Sequence, residues 1–436
     1  TQSMIIMPGA GKTCASGDMF ITEPNKLRVE CDVVDMEAYS VAKVANKLGL
    51  DIEVWKYISD PADAGAGKTW KEQVATGEPM NDVRRRMMAG ERLTECDSCN
   101  LRQDSNPDYV THRQFYNHKH QHLIKPLTEQ TNPDGSINYE FKLRSMNLRF
   151  SNLCNYSCRS CGPKYSSLWA QEEGVAKPVI NVVEDNPDYL EQILAHLPWV
   201  EYINFTGGES LLTDEHWTIL ERLVELGKTD VDIDFYTNVS RLEYRGRSLI
   251  TVARQLGIDK FKVRVSLDAS HERAELYRNG TVWSTVERNL KTLVENNINV
   301  VVNSTIGATN IWHAPDMHRY LIENGLIKTH YEKTVVNPWV CTNLVYPPSM
   351  RSTILPPQYK LVVKDKIQQH IEYIDSLGID SRMWHTVIQY MMSRDDSWMI
   401  PEFIQYNHEI DMKRGQRMIE VFPELAAIGQ WPDPQQ

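Results

Sequence analysis

The stretch "LRFSNLCNYSCRSCGPKYSSLW", residues 148–169, contains three cysteines in the spacing C-x3-C-x2-C: Cys154, Cys158 and Cys161. A structural zinc site is usually closed by four protein ligands, so a zinc site here would need a fourth ligand from a distant part of the chain. A [4Fe–4S] cluster also takes four ligands, and three cysteines would leave one iron open to bind another molecule. The spacing therefore leaves a zinc and an iron–sulfur interpretation open.

Strand and helix signals alternate around this loop, from residue 142 onward. Helical patterns such as 214–227 and 285–297 lie between apolar runs typical of β-strands. These runs cover residues 143–151, 200–206, 231–237, 261–268, 298–306 and 329–336. Strands that alternate with helices predict an α/β fold with a parallel sheet and right-handed crossovers. Such sheets place their chemistry at the carboxyl ends of the strands, and the cysteine loop follows the first run.

Length, charge and cysteine usage restrict the class of protein. At 436 residues the chain is long for one domain, and its net charge of −11 argues against a nucleic-acid binder. No stretch approaches the ~20 apolar residues of a membrane helix, and no signal peptide is seen. Cysteines in clusters suggest metal binding in a reducing compartment. We expect a cytoplasmic protein with neither a membrane nor a nucleic acid as partner.

Three further motifs each end a predicted strand. They are "NFTGGES" at 204–210, "DFYTNVS" at 234–240 and "VSLDAS" at 265–270. Together with the C-x3-C-x2-C loop, and in this order, they resemble the motifs of radical S-adenosylmethionine (radical SAM) enzymes. The resemblance covers roughly residues 142–340.

The resemblance implies a partial (β/α)6 TIM-type barrel with a [4Fe–4S] cluster held by Cys154, Cys158 and Cys161. S-adenosylmethionine would chelate the fourth iron through its amino and carboxylate groups. It also implies a set of residues that contact S-adenosylmethionine: Gly207, Gly208, Glu209, Thr237, Asn238, Ser266 and Asp268. The glycines would allow close backbone approach, since they lack a Cβ atom. Glu209 would accept a hydrogen bond from the ammonium group or order the loop.

The chemistry implied is reductive cleavage of S-adenosylmethionine to a 5′-deoxyadenosyl radical, which abstracts hydrogen from a substrate. The substrate is unknown, either a peptide or protein or a small molecule, and the electron donor would resemble flavodoxin or ferredoxin. One position departs from the family pattern. Ser160 stands where the family usually has an aromatic residue near the adenine, and Tyr156 or Tyr165 is the alternative for covering that face.

A second cysteine pair, Cys96 and Cys99, lies in "MAGERLTECDSCNLRQ". This segment resembles the auxiliary-cluster modules, of twitch or SPASM type, found in peptide-modifying radical SAM proteins. Those modules usually supply a further cysteine pair, which this chain lacks. An auxiliary iron–sulfur cluster and an incomplete, zinc-prone pair therefore both remain open.

The N-terminal residues 15–63 resemble a different family, the methylthioadenosine/S-adenosylhomocysteine nucleosidases. Met36 and Glu37 match its ribose-binding pair, and Asp60 matches the acid that protonates the leaving purine. Only the C-terminal part of that fold is present. We therefore expect no nucleosidase activity, and release of adenine from 5′-deoxyadenosine by the pure protein would contradict this expectation.

Four parts follow from these observations. Residues 1–80 form a fragmentary α/β nucleosidase-like segment, and 81–141 a helical region that carries the C-x2-C pair. Residues 142–340 form the partial barrel, and 341–436 a helical C-terminal extension that caps it. A truncated purine nucleosidase and a structural metal-binding protein are the alternative functions. Metal content would separate the metal-binding protein from the radical enzyme, since one would hold zinc and the other iron with sulfide.

Overall fold

The chain divides into two units, Thr1–Phe141 and Lys142–Gln436. The computed structural model describes residues 3–6, 13–16, 33–35, 78–96, 100, 104, 114, 117–118, 120–137, 142–328, 330–331, 334–335 and 338–432. None of the helices in these ranges is long and apolar enough to cross a membrane. The division of the chain into four functional parts stays a prediction.

The first unit contains a small sheet and two described helices. Strand β1 (Ser3–Ile6) pairs antiparallel with β2 (Thr13–Ser16), and β2 pairs parallel with β3 (Val33–Asp35). Helix α1 covers Glu78–Met88 and helix α2 covers Gln121–Glu129. The described part of this unit is therefore of mixed α and β structure.

The second unit is built on a sheet of six described strands. Their bounds are β4 Ser145–Leu148, β5 Tyr202–Phe205, β6 Asp232–Thr237, β7 Phe261–Ser266, β8 Asn299–Ile306 and β9 Trp339–Asn343. All neighbouring strands pair in parallel, and their order in the sheet is their order in the chain. This α/β arrangement is consistent with a partial barrel that is open between β4 and β9.

Helices connect the strands and continue beyond the last one. Between strands lie α3 Ser167–Glu172, α4 Val182–Asp185, α5 Asp188–His196, α6 Asp214–Glu225, α7 Leu249–Leu256, α8 His271–Tyr277, α9 Trp283–Glu295 and α10 Ala314–Glu323. After β9 come α11 Pro357–Ser376, α12 Arg382–Met392, α13 Ile400–Arg414 and α14 Met418–Val421. Parallel strands need such crossovers, because a short turn cannot return the chain to the same end of the sheet.

Along the strands, buried side chains that face the core alternate with side chains that are less buried. In β7, "FKVRVS", Phe261, Val263 and Val265 are fully buried, and the residues between them are half-buried. This period of two is the geometry of a pleated strand with one face in the core. The buried face joins an apolar core that also includes Trp384 and Phe403 of the C-terminal helices.

The prediction of the sixth strand was wrong. Residues 329–336 were expected to join the sheet, but His330–Tyr331 and Thr334–Val335 form a short antiparallel ladder of their own. The strand that pairs with β8 is β9, where Trp339 and Cys341 are buried in the core. The apolar residues of 329–336 gave the stronger β signal, but the tertiary packing selected the following segment. A second small ladder joins Glu243–Tyr244 to Arg247–Ser248.

Candidate active site

A cavity of about 380 Å³ lies where the carboxyl ends of β4 to β7 meet the loops that follow them. The structure brings most of the predicted site residues to its wall, although they come from four separate motifs. These residues are Cys154, Cys158, Cys161, Gly207, Gly208, Glu209, Thr237, Asn238 and Ser266. Their convergence follows from the parallel sheet, since all four loops leave the same edge. The ligand that each residue binds stays a prediction.

The three cysteines of the first loop are unpaired thiols that lie close to the protein interior. Burial raises the pKa of Cys154 to about 12 and that of Cys158 to about 12, and it also raises the pKa of Cys161. Buried thiols of this kind become thiolates only when a cation binds them and displaces their protons. The donor set therefore suits a metal centre.

The arrangement of the three cysteines bears on which kind of metal centre they could hold. Among the described residues, no group of three His, Cys, Asp or Glu side chains is placed to hold one metal ion. A tetrahedral zinc site with Zn–S bonds of about 2.3 Å would bring its sulfurs to within about 4 Å of each other. In an iron–sulfur cluster each cysteine binds its own iron, so the sulfurs lie farther apart. Three thiols line one cavity, and the metal centre that they hold stays a prediction.

The cysteine loop is held by the segment that follows α8. The Ser157 N–H donates to the carbonyl of Asn279 at 2.9 Å, and the Arg159 N–H donates to that of Tyr277 at 2.8 Å. These two bonds fix the backbone on both sides of Cys158.

Gly207 and Gly208 allow the loop after β5 to lie directly on the cysteine loop. A Cβ atom at Gly207, whose φ is 152°, would lie 2.9 Å from the carbonyl oxygen of Ser151. A Cβ at Gly208 would lie 2.5 Å from the carbonyl oxygen of Asn152, and closer still to that of Leu153. Real side chains do not reach such distances. The sequence resemblance assigned the glycines to close approach of a ligand, and the structure adds a close approach of two loops.

Glu209 joins the loops that follow β5 and β6. Its carboxylate is 2% exposed and accepts hydrogen bonds from the N–H groups of Leu211 at 3.1 Å and Asn238 at 2.7 Å. Burial raises the pKa of Glu209, whereas these bonds and the Thr237 hydroxyl act in the opposite direction. These hydrogen bonds order the two loops, and a contact of Glu209 with S-adenosylmethionine stays a prediction.

The loop after β6 is tied to the cysteine loop by side-chain amides. The Asn238 amide donates to the amide oxygen of Asn155 at 3.0 Å, and the Asn155 amide donates to the hydroxyl of Ser240 at 3.1 Å. Between them, Val239 adopts a φ of 48°. That conformation is strained for a β-branched residue, and it is maintained here beside the cavity.

Asp268 lies behind the cavity wall instead of lining it. Its side chain is 0% exposed and forms an ion pair with Arg278 at 2.7 Å. Arg278 itself lines the cavity, and its Nη1 lies 3.9 Å from the sulfur of Cys158. Burial disfavours the charge of Arg278, but the Asp268 carboxylate together with Cys158 and Tyr277 outweighs this, so the pKa of Arg278 is raised. The carboxylate of Asp268 is thus paired with an arginine of the protein itself.

Sequence reasoning missed several residues of the wall. Arg149 and Tyr236 come from strand ends, and the Arg149 guanidinium lies 5.4 Å from the ring centroid of Tyr165. Tyr156, Tyr165 and Ser160 all line the cavity, so both tyrosines considered for the adenine face are present at the site. A signal existed for both, since Arg149 directly follows β4 and Tyr236 lies in β6, and the motif beside each was recognised.

Other predicted site residues are not among those that line this cavity, or they lie outside the described residues. Cys96 ends the short turn Thr94–Cys96 and is half-buried. Cys99 lies outside the described residues, as do Met36, Glu37 and Asp60. The auxiliary cluster and the nucleosidase-like site therefore stay predictions.

The position of the three cysteines at the end of the first sheet strand agrees with a comparison of the sequence with protein families. Residues 148–321 match the Radical SAM superfamily. The match includes all four motifs of the cavity wall, and it supports an enzymatic role for the chain. A search of curated proteins found no match.

Solved structures similar to this chain include radical SAM enzymes. AnSMEcpe with bound AdoMet shares 22% identity over 42% of this chain and 50% of its own, with a TM-score of 0.32. Streptococcus suis SuiB bound to S-adenosylmethionine shares 12% identity over 60% of this chain and 50% of its own, with a TM-score of 0.30. TYW1 with a lysine-pyruvate adduct bound shares 12% identity over 51% of this chain and 70% of its own, with a TM-score of 0.27. This chain thus spans about half the length of the first two.

Proposed function

We propose that this protein is a radical SAM enzyme that cleaves S-adenosylmethionine reductively at a [4Fe–4S] cluster and abstracts hydrogen from a substrate. The observation that carries the proposal is the convergence of Cys154, Cys158 and Cys161 with Gly208 and Glu209 around one cavity. No single motif would require this arrangement. The parallel sheet produces it from segments that are far apart in the sequence.

The residues of the cavity wall divide the binding task. Cys154, Cys158 and Cys161 would hold the cluster as thiolates, and Ser266 and Thr237 would offer hydroxyls to the cofactor. When bound, the cluster and S-adenosylmethionine would together supply a 5′-deoxyadenosyl radical for hydrogen abstraction. A carboxylate of the cofactor would be matched by Arg278, a cation of the wall.

The protein's own contribution is to keep this site rigid. Glu209 uses its carboxylate to fix two neighbouring loops, and Asp268 fixes Arg278. Because both carboxylates are fully committed to protein groups, neither is free to compete for iron. Rigid, preorganised walls lower the cost of orienting a reactive species at the moment of reaction.

The substrate, the electron donor and a second cluster belong to the proposal as well. A peptide or protein and a small molecule are the two substrate classes, and flavodoxin or ferredoxin would be the reductant. An auxiliary cluster at Cys96 and Cys99 would raise the iron content above four per chain, and a Cys96→Ala variant would lower it again. Equal iron content in both proteins would exclude this second cluster.

The deciding experiment is an anaerobic turnover assay. The protein is reconstituted with iron and sulfide, reduced with dithionite and given S-adenosylmethionine, and products are identified by mass spectrometry. We expect 5′-deoxyadenosine from the wild type and none from Cys158→Ala. Cys341→Ala is the matched control, since Cys341 is a buried free thiol in β9 that does not line the cavity.

The control and the metal analysis determine how a negative result is understood. Activity in Cys341→Ala together with loss in Cys158→Ala assigns the effect to the cluster loop. A wild-type protein that binds zinc and neither iron nor sulfide would contradict the proposal and favour the structural metal-binding alternative. Equal amounts of 5′-deoxyadenosine from wild type and Cys158→Ala would contradict it too.

A further inference from the structure

Arg159 lies between two of the three cysteines, and its side chain is directed away from the cavity. It is 0% exposed and does not line the cavity wall. Its guanidinium donates to the backbone carbonyl of Asn407 at 3.3 Å and forms an ion pair with Asp411. Both partners belong to α13, about 250 residues later in the chain. The cysteine loop is thus anchored to a C-terminal helix by a buried charge.

Helix α13 holds the backbone of the loop as well as the side chain. The hydroxyl of Tyr406 donates to the carbonyl of Arg159 at 2.9 Å. The second oxygen of Asp411 accepts the N–H of Met418 at 2.7 Å, which fixes the start of α14. Asp411 therefore serves two contacts at once, and neither of its oxygens is free to move without breaking one.

A chain of hydrogen bonds extends this anchor around the loop. Gln416 accepts from Arg159 at 2.9 Å and donates to the amide oxygen of Asn279 at 2.9 Å. The Asn279 amide donates to the Ser157 hydroxyl at 2.9 Å, and that hydroxyl donates to Glu172 at 2.5 Å. Residues on both sides of Cys158 are therefore connected to the segment between α13 and α14.

Stability alone does not account for a buried ion pair at this position. Well-packed apolar side chains usually stabilise a protein as much as a buried pair or more, whereas removal of one partner is strongly destabilising. Groups that orient the ligands of a metal centre typically affect metal affinity by about 10-fold to 100-fold. A charged anchor placed between two cluster ligands has the location of such a group.

We propose that Arg159 and Asp411 are positioning residues for the iron–sulfur cluster, and that α13 is part of the cluster site and not a removable cap. The inference rests on the proposed function, because it assumes that Cys158 and Cys161 hold a cluster. Arg159 acts through the backbone that carries these two cysteines. Asp411 acts through Arg159, by matching its charge and fixing its orientation.

The test compares Asp411→Asn with a matched ion pair that does not touch the cysteine loop. Glu424 pairs with Arg273 of α8 at 2.6 Å and also links the C-terminal region to the barrel. Full-length wild type, Asp411→Asn and Glu424→Gln are reconstituted anaerobically. Iron loss to a chelator and the electron paramagnetic resonance spectrum of the reduced protein are then measured.

We expect Asp411→Asn to lose iron about 10-fold faster than wild type and to show a changed spectrum. Glu424→Gln should retain the wild-type rate and spectrum, even if its thermal stability falls. If the two variants behave alike in both measurements, the inference is wrong. A wild-type protein that binds no iron–sulfur cluster would instead contradict the proposed function. Failure of the inference and failure of the proposed function are therefore distinguishable.

A milder variant decides the question if Asp411→Asn does not fold. Gln416 is half-buried and uncharged, so Gln416→Ala breaks the bridge to Asn279 without leaving a buried charge unpaired. Faster iron loss from Gln416→Ala supports the inference, and an unchanged rate with an unchanged spectrum overturns it.

Discussion

Gly208 is a residue at which the loop after β5 packs directly on the cysteine loop. Its N–H donates to the carbonyl of Ser151 at 3.0 Å, and a Cβ would lie 2.5 Å from the carbonyl oxygen of Asn152. The obstruction is backbone, which cannot rotate away as a flexible side chain can. A methyl group here must therefore separate the two loops.

We expect Gly208→Ala to abolish cofactor-dependent activity and to destabilise the protein by about 1–3 kcal/mol, the usual range for forced overpacking. Thermal unfolding and 5′-deoxyadenosine formation are the measurements. Gly162→Ala is the control, since Gly162 is next to Cys161 but a Cβ there meets nothing within 4 Å. If Gly208→Ala matched Gly162→Ala in both stability and activity, the two loops would not be closely packed at this position.

The sequence predicts a site residue well when the residue belongs to a motif at the end of a strand. Glu209 and Ser266 could be placed because parallel strands bring such ends together. Arg278 could not, because its position beside Cys158 depends on how α8 packs across the cysteine loop. Asp268 was recognised as a motif residue, but only the structure shows that its partner is Arg278.

At the scale of elements, α10 and α11 meet through a buried histidine pair. Nδ1 of His318 lies 2.9 Å from Nε2 of His370, and the His318 ring stacks on Trp339 of β9 with centroids 4.5 Å apart. Burial lowers the pKa of His370 to about 4 and lowers that of His318 as well. Arg319 and Lys366 add to the effect on His370. The packed helices therefore tolerate only the neutral rings.

Because the pKa values of His318 and His370 are lowered, we expect the protein to lose stability in mild acid. Above about pH 7.5 the rings are neutral in both the folded and unfolded chain, so they add little pH dependence. As the pH falls from about 7.5 toward 4, the unfolded chain binds protons that the folded pair does not, and stability decreases. For His370 alone the loss is about 1.4 kcal/mol at pH 5.5.

Chemical denaturation at pH 7.5 and pH 5.5 checks this expectation. The variant His370→Gln should be less stable than wild type at pH 7.5, since the replacement packs imperfectly. Its further loss between the two pH values should be about 1 kcal/mol smaller than that of wild type. An equal loss in the two proteins would mean that the pair titrates in the folded state as it does in the unfolded chain.

The elements themselves were predictable to different degrees. Strands β4 to β8 fall within the expected runs because each carries its own apolar pattern, as "FKVRVS" of β7 does. The position of strand β9 was predicted wrongly because its five residues, "WVCTN", carry little periodicity. Their place at the sheet edge depends on pairing with β8. Local pattern predicts that a strand exists, and tertiary pairing decides which of two adjacent segments it is.

At the scale of the whole molecule, the apolar core of the second unit runs from Met146 in β4 to Ile428 near the end of the described chain. The C-terminal region contributes some of its largest fully buried side chains, including Trp384, Phe403 and Phe422. Each such side chain contributes about 1.5–3 kcal/mol when buried. A domain is usually stable by only about 5–15 kcal/mol in total, so the barrel cannot lose all of these contacts and remain folded.

Two truncations test this view of the molecule. Residues 142–436 alone should unfold in one cooperative transition and should bind the iron of the cysteine-loop cluster as the full chain does, because their core and cluster loop are complete. Residues 142–343, which retain all six strands but lack α11 to α14, should show no cooperative transition and should bind iron poorly. Near-ultraviolet circular dichroism during thermal unfolding and iron analysis measure both. If residues 142–343 folded cooperatively and held iron, the C-terminal helices would be an appended cap, and the anchoring of Arg159 by α13 would be dispensable.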